Sequence, residues 1–204
     1  MLHIVEAAGW PIWPLLVASL IALTIIVERA WSLRRGKVAP RNLLQQIAQE
    51  VSHKGVTQEL LDRLSQGPLL ARVFAVGLHN VRRSRDVMKE SLEEAGRVAV
   101  HELERFLTSL GTIASLAPIM GLFGTVVGMI EIFGSQNGGG MSSNPQQLAH
   151  GISVALYNTA FGLIVAIPSM IFYRHYRARV DSLVVEMEAE ATKLIEIVHG
   201  DQSA

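Results

Sequence analysis

Long apolar stretches, with room for three membrane crossings, alternate with polar stretches along the sequence. Residues 7–27 contain no ionisable acid or base, and as a helix this run of 21 residues would extend about 31 Å, close to the thickness of a bilayer's hydrocarbon core. From Phe106 to Tyr173 the only formally charged residue is Glu131, so this stretch is long enough for two more crossings. Residues 133–147 (FGSQNGGGMSSNPQQ) combine Gly, Ser, Asn and Pro, and we predict that they turn between those crossings.

The polar stretches have helical periodicity and lack the alternation typical of strands. Gly55 and the Gly67-Pro68 pair interrupt the stretch between the first two spans. The apolar positions that repeat there are Leu43, Leu44, Ile47 and Val51, followed by Leu60, Leu61 and Leu64. Asp86 to Ser135 contains one proline, inside the second span, and we predict one continuous helix of about 75 Å.

The C-terminal tail has heptad spacing. Its apolar positions are separated by 4, 3, 4, 3 and 4 residues: Val180, Val184, Met187, Ala191, Leu194 and Val198. We predict that the third span and the tail form a second long helix, kinked near Pro168. The apolar seam of the tail needs a partner, which this chain's own helices, another subunit or both can supply.

These patterns predict an all-α integral membrane protein. It has three transmembrane helices, two of them extended into the cytoplasm as long helices, and a helical cytoplasmic domain. The predicted segments are an external N-terminus with the first transmembrane helix (1–34), the helical cytoplasmic domain (35–105), the second transmembrane helix (106–135), an external loop (136–147), the third transmembrane helix (148–173) and a cytoplasmic helical tail (174–204).

Charge distribution predicts the orientation of these segments. The first apolar run is preceded by Glu6 and no basic residue, whereas Arg29, Arg34 and Arg35 follow it. By the positive-inside rule the N-terminus is periplasmic, the C-terminus is cytoplasmic, and the first segment is an uncleaved anchor rather than a signal peptide. The basic residues that flank the other two spans agree: Arg97, Arg105, Arg174, Arg177 and Arg179.

Composition excludes several classes of function. Eighteen Lys and Arg balance eighteen Asp and Glu, so there is no basic field to hold nucleic acid. The absence of cysteine excludes thiolate chemistry, and the seven histidines never recur three or four residues apart, so we expect neither a metal nor another cofactor. The motifs HExxH, GxSxG and the P-loop are missing, and we expect a protein without enzymatic activity.

Small residues follow one side of the second span. In the run ASLAPIMGLFGTVVGMIEIFG (residues 114–134), Ala117, Gly121, Gly124 and Gly128 share one side of a helix, where small residues let neighbouring helices approach closely. Gly162 of the third span joins this predicted packing set.

Polar residues lie beside this seam. Thr125 is next to it in the second span, and the third span offers Tyr157, Asn158 and Thr159. An intramembrane threonine can also simply bond to its own backbone carbonyl one turn back.

The runs GLFGTVVGM and GISVALYNTAFGLIVAIP resemble the second and third membrane helices of the ExbB, TolQ and MotA proton-channel family. One span before the cytoplasmic domain favours the ExbB and TolQ branch over MotA-like proteins. The resemblance implies a bacterial inner-membrane ring, typically of five such subunits, around the membrane helices of a single-span ExbD- or TolR-like partner. Proton flow then drives a TonB- or TolA-like protein.

The resemblance also implies site residues. Thr125 matches the threonine of the family's GLxGTVxG motif and Thr159 that of its ATAxGL motif, which line the path beside the partner's aspartate. Val154 replaces a glutamate common in ExbB and TolQ, and Asn158 stands where a small residue is common; the third helix therefore leans toward MotA. The alternatives are a MotA-like motility stator subunit and a non-conducting membrane scaffold.

Glu131 is the remaining candidate for the proton pathway, because intramembrane carboxylates are often functional. It lies within about one turn of the predicted loop, so a vestibule role is favoured over a central relay. It shares the glycine side of the helix and is expected to face protein. Because no acid lies at mid-depth, we predict that the chain alone does not conduct protons and needs a partner's carboxylate.

Overall fold

The computed structural model describes residues 9–136 and 145–200, with the side chains of 132, 135, 136, 145–151 and 154 excepted. All regular secondary structure in these residues is helical, which confirms the all-α prediction. The helices are α1 (Ile12–Ser32), α2 (Arg35–Val38), α3 (Leu43–Lys54), α4 (Gln58–Ser65), α5 (Leu69–His79), α6 (Arg85–Glu104), α7 (Leu107–Gln136) and α8 (Pro145–Gly200).

Three helical stretches in the described residues are long and apolar enough to cross a membrane. They are Ile12–Ser32, Arg85–Glu131 and Ala155–Gly200. Their number and order are those predicted from the apolar runs, and the second and third extend far beyond a bilayer's thickness. The protein is therefore an integral membrane protein with long helices that continue out of the membrane.

The helix predicted to run unbroken from residue 86 to residue 135 is interrupted once, at Arg105 and Phe106. Helix α6 ends at Glu104 and α7 begins at Leu107. Arg105 has an extended ψ of 135° and Phe106 a positive φ of 62°, and neither conformation continues an α-helical hydrogen-bond ladder. No glycine or proline marks this break, so the local sequence does not announce it.

Helix α8 is continuous, as predicted, and spans 56 residues with Pro168 inside it. Proline donates no backbone hydrogen bond to the carbonyl four residues earlier. The neighbouring Ser169 is buried, and its hydroxyl donates to the carbonyl of Val165 at 2.7 Å. The backbone hydrogen bond that Pro168 cannot donate thus falls within the apolar third span.

The turn between the second and third spans is shorter than predicted. Helix α7 continues to Gln136, beyond Gly134, and α8 already begins at Pro145, where a proline at the first helical position loses no hydrogen bond. The rest of the predicted loop, residues 137–144, lies outside the described residues.

The chain divides into two compact units. One comprises residues 1–28 and 106–175, here called the apolar unit; the other comprises residues 29–105 and 176–204, here called the charged unit. In the apolar unit Leu15 of α1 packs with Ala117 of α7 and with Val165 and Ala166 of α8. This contact joins all three spans in one core.

Helix α5 is the centre of the charged unit. It packs against α4 and α6, and most of its side chains are buried. A Cβ atom on Gly77 would lie 2.6 Å from Cδ2 of Leu92, so glycine is needed for the close approach of α5 and α6. Thr57 and Ser84 cap α4 and α6 by accepting hydrogen bonds from the backbone N–H groups of Leu60 and Val87.

The heptad seam of the tail is covered within the charged unit. Val180, Met187 and Leu194 are buried, and Val184, Ala191 and Val198 are half-buried. This chain's own helices therefore cover the seam at Val180, Met187 and Leu194.

Candidate functional site at a glycine-lined helix interface

Helices α7 and α8 meet along the small residues predicted from the second span. A Cβ atom on Gly162 would lie 2.6 Å from the carbonyl oxygen of Ala117, and one on Gly128 would lie 3.2 Å from Cβ of Ala155. As residue numbers rise along α7, the contacted positions on α8 fall, so the two helices run antiparallel. Small residues on both helices bring the backbones together, and this interface lies within one chain.

Asn158 fills the middle of this interface. A Cβ atom on Gly121 would lie 2.7 Å from the Asn158 carbonyl oxygen, and one on Gly124 would lie 2.7 Å from Cβ of Asn158. Asn158 is only 1% exposed. The two glycines thus provide the space that the backbone and side chain of Asn158 occupy.

Thr125 and Thr159 lie at the edge of the same layer. Both side chains are half-buried, and each follows a residue of the contact between Gly124 and Asn158. The Thr125 hydroxyl donates to the carbonyl of Leu122 at 2.7 Å, a bond to its own helix of the kind that the sequence left open. The hydroxyl oxygen keeps lone pairs, so it can still accept a hydrogen bond from another group.

Tyr157 and Glu131 lie outside this layer. Tyr157 is 44% exposed and Glu131 is also exposed. The structure therefore brings together Thr125, Asn158 and Thr159 and leaves the other two candidates on the surface of the single chain. The expectation that Glu131 faces protein stays a prediction. The side chain of Val154 is outside the described set.

The small-residue seam is longer than the sequence analysis recognised. A Cβ atom on Gly111 would lie 3.0 Å from Cε2 of Tyr173, in the same antiparallel register. Ala114, which lies between Gly111 and Ala117 in the sequence, is buried. The spacing of three residues between Gly111, Ala114 and Ala117 is visible in the sequence and extends the pattern. This spacing was the signal by which Gly111 and Ala114 could have been added to the seam.

No group of three or more His, Cys, Asp or Glu side chains suited to a metal ion is found in residues 9–136 and 145–200. What the layer offers is neutral: two hydroxyls and an amide, groups that can solvate a carboxyl or a proton carrier brought by another molecule.

Comparison with known proteins places this arrangement in a family. Residues 65–189 match the sequence model of the MotA/TolQ/ExbB proton channel family. The biopolymer transport protein exbB1 of Vibrio cholerae is 28% identical over 168 residues, which cover 81% of this chain and 74% of the relative. The biopolymer transport protein ExbB of Aquifex aeolicus is 33% identical over 150 residues, which cover 72% of this chain and 95% of the relative.

A Tol-Pal system protein also matches. TolQ of Pseudomonas aeruginosa is 33% identical over 143 residues, or 63% of this chain and 60% of the relative. The match to the family model includes α7, the part of α8 that packs on it, and helices α5 and α6 of the charged unit. The chain belongs to the MotA/TolQ/ExbB proton channel family, in its ExbB/TolQ-like branch.

Proposed function

We propose that this protein is the ring-forming subunit of a bacterial inner-membrane motor that converts proton-motive force into mechanical work. Five copies surround the membrane helices of an ExbD- or TolR-like single-span protein that carries an aspartate in its span. The motor acts on a TonB- or TolA-like protein, in biopolymer or nutrient transport or in envelope maintenance. The N-terminus is periplasmic and the C-terminus cytoplasmic.

The layer formed by Thr125, Asn158 and Thr159 carries this proposal. It sets three polar side chains into a pair of apolar helices. Polar side chains are uncommon within apolar membrane helices, and those that occur there often serve a function, which supports the assignment of this layer. None of the three side chains titrates near neutral pH, which is why a proton carrier must come from a partner.

The proposed cycle follows from the cost of charge in hydrocarbon. An ionised aspartate there is unfavourable by about 2.5 to 3.5 kcal/mol even on the mildest insertion scale, so hydroxyls beside it lower that cost. When the aspartate takes a proton its charge disappears, and its affinity for the threonine-lined position changes. The partner helix then moves relative to the ring, and ion flow becomes displacement.

The names of the relatives support the proposed role in biopolymer transport or envelope maintenance. The names of the Vibrio and Aquifex proteins state biopolymer transport, and the Pseudomonas relative is a Tol-Pal system protein. Both descriptions fit a subunit that transmits energy across the envelope rather than one that transforms a substrate.

The test measures proton flux in proteoliposomes. The chain alone should hold a pH gradient, and addition of the copurifying single-span partner with its force-receiving protein should dissipate it. The double variant Thr125→Val, Thr159→Val should slow that dissipation by roughly tenfold for each hydroxyl, the effect of losing one hydrogen bond in the conducting state. Thr24→Val is the matched control, because Thr24 on α1 makes the same kind of backbone bond, to the carbonyl of Leu20 at 2.8 Å.

Three outcomes contradict the proposal. Undiminished activity of the double variant would favour the non-conducting scaffold. A leak through the purified chain alone that Glu131→Gln abolishes would show that this subunit carries its own relay. Native mass measurement in mild detergent gives the copy number, and a monomer under all mild conditions excludes the ring.

A further inference from the structure

Two cations lie over one exposed tryptophan at the corner where α1 ends. The guanidinium carbon of Arg34 is 5.8 Å from the centroid of the Trp31 ring, and the ammonium nitrogen of Lys37 is 5.5 Å from it. Trp31 itself is 63% exposed. Both distances are within the range in which a cation is attracted to the electron-rich face of an aromatic ring.

The local backbone builds this arrangement. Arg34 leaves the helical conformation with ψ of 129°, and its carbonyl accepts hydrogen bonds from the N–H groups of Lys37 at 2.9 Å and Val38 at 3.2 Å. Leu33 and Val38 are buried in the charged unit and anchor the corner. The chain therefore turns directly after Trp31 and holds both cations on its exposed side.

The charge at this corner is uncompensated. Arg35, between Arg34 and Lys37 in the sequence, forms an ion pair with Glu186. Across the described part of the chain neither Arg34 nor Lys37 has a carboxylate within ion-pair distance. A Cβ atom on Gly36, between them, would meet nothing within 4 Å, so the approach is open. An anion is the missing complement of this corner.

The position along α1 indicates the source of the anion. Trp10 and Trp13 are exposed at one end of the span and Trp31 at the other. From Ile12 to Trp31 the helix extends about 29 Å, the thickness of the hydrocarbon core, and tryptophan is enriched at both membrane interfaces. The two cations thus lie at the depth of lipid headgroups.

We propose that Trp31, Arg34 and Lys37 bind the phosphate of an anionic phospholipid headgroup, such as phosphatidylglycerol, in the leaflet where α1 ends. The guanidinium of Arg34 and the ammonium of Lys37 contact the phosphate oxygens. The ring of Trp31 lies between the headgroup and the acyl chains and orients both cations. A soluble phosphate ester has the same anionic group but lacks the acyl chains that bring it to this depth.

The experiment uses the fluorescence of Trp31 in the full chain. The sequence contains three tryptophans, so Trp10→Phe with Trp13→Phe leaves Trp31 as the single reporter and retains an aromatic ring beside Phe123. The protein is reconstituted in phosphatidylcholine vesicles with either dibrominated phosphatidylglycerol or dibrominated phosphatidylcholine as the quencher. Phosphatidylglycerol should quench Trp31 more strongly. Its relative binding constant should fall by a factor of about five in Arg34→Gln and again in Lys37→Gln.

The control removes the same charge elsewhere. Arg82→Gln with Arg83→Gln removes two exposed cations that do not contact Trp31, and the quenching preference should stay unchanged. Equal quenching by both lipids, or an unchanged preference in the Arg34 and Lys37 variants, overturns the proposal. Displacement of the lipid by millimolar glycerol 1-phosphate would assign the corner to a soluble phosphate instead.

Discussion

Three glycines of this protein differ in what a side chain would meet at each. A Cβ atom on Gly162 would lie 2.6 Å from the backbone oxygen of Ala117, which cannot move without shifting α7. One on Gly124 would meet the side chain of Asn158, and one on Gly96 would meet nothing within 4 Å. Residue type alone does not distinguish these positions, although their tolerance to substitution should differ in sign.

Gly162→Ala should destabilise the protein. The added methyl group overlaps the α7 backbone, and overpacking of this kind typically costs about 1–3 kcal/mol. Thermal unfolding in mild detergent, followed by circular dichroism, measures the change. Gly96→Ala is the control: it lies inside α6 in open space, and alanine there should raise stability by about 0.5–1 kcal/mol. A neutral Gly162→Ala would show that α7 and α8 are not in backbone contact.

At the scale of elements, helix ends decide the course of the chain. The break between α6 and α7 places Phe106 in the left-handed region, and the guanidinium of Arg29 donates to the carbonyl of Leu103 at 3.1 Å. This bond satisfies one of the last carbonyls of α6, which have no partner within the helix. Arg29 is buried, so the end of α6 is held from the first helix of the sequence.

Phe106→Ile should destabilise this break more than Phe106→Asn does. A β-branched residue is a strong outlier at positive φ, whereas asparagine tolerates it, and left-handed backbone costs about 1–2 kcal/mol per ordinary residue. Both variants lose the aromatic ring, so the loss of its contacts is common to the two. Denaturation of the two variants side by side measures the difference in their free energies of unfolding. Equal stability, or a more stable isoleucine variant, would be incompatible with a positive φ at this residue.

At the scale of the whole molecule, the apolar and charged units alternate along the chain. The charged unit contains both the segment between the first two spans and the C-terminal tail. Among the described residues, ion pairs between these two segments include Arg35 with Glu186 and Arg177 with Glu104. We therefore expect both segments to lie on one side of the membrane.

Single cysteines test on which side this unit lies. The natural chain has no cysteine, so Ser143→Cys and Ser65→Cys each introduce one thiol. An impermeant thiol reagent added outside intact cells should label the first and leave the second unlabelled. Ser65 is exposed in the charged unit, so lack of labelling there reports the membrane barrier rather than burial. After permeabilisation both should react; the reverse pattern in intact cells would invert the topology.

Local sequence was sufficient for the three spans, the helical charged unit and the small-residue side of α7. Each depends on hydrophobicity or spacing within one segment, and the crossing length is set by the bilayer. The heptad positions of the tail were also readable, since periodicity states which side of a helix is apolar.

What covers each helix side was decided only by tertiary structure. Periodicity marks the glycine side of α7 but does not say whether α8 or another subunit packs on it. The burial of Asn158 on α8 depends on the space left by Gly124 across the interface. Periodicity likewise did not determine that Glu131 is exposed among the described residues. The turn at Phe106 has no local signal, because its strained φ is stable only when the surrounding contacts outweigh the cost.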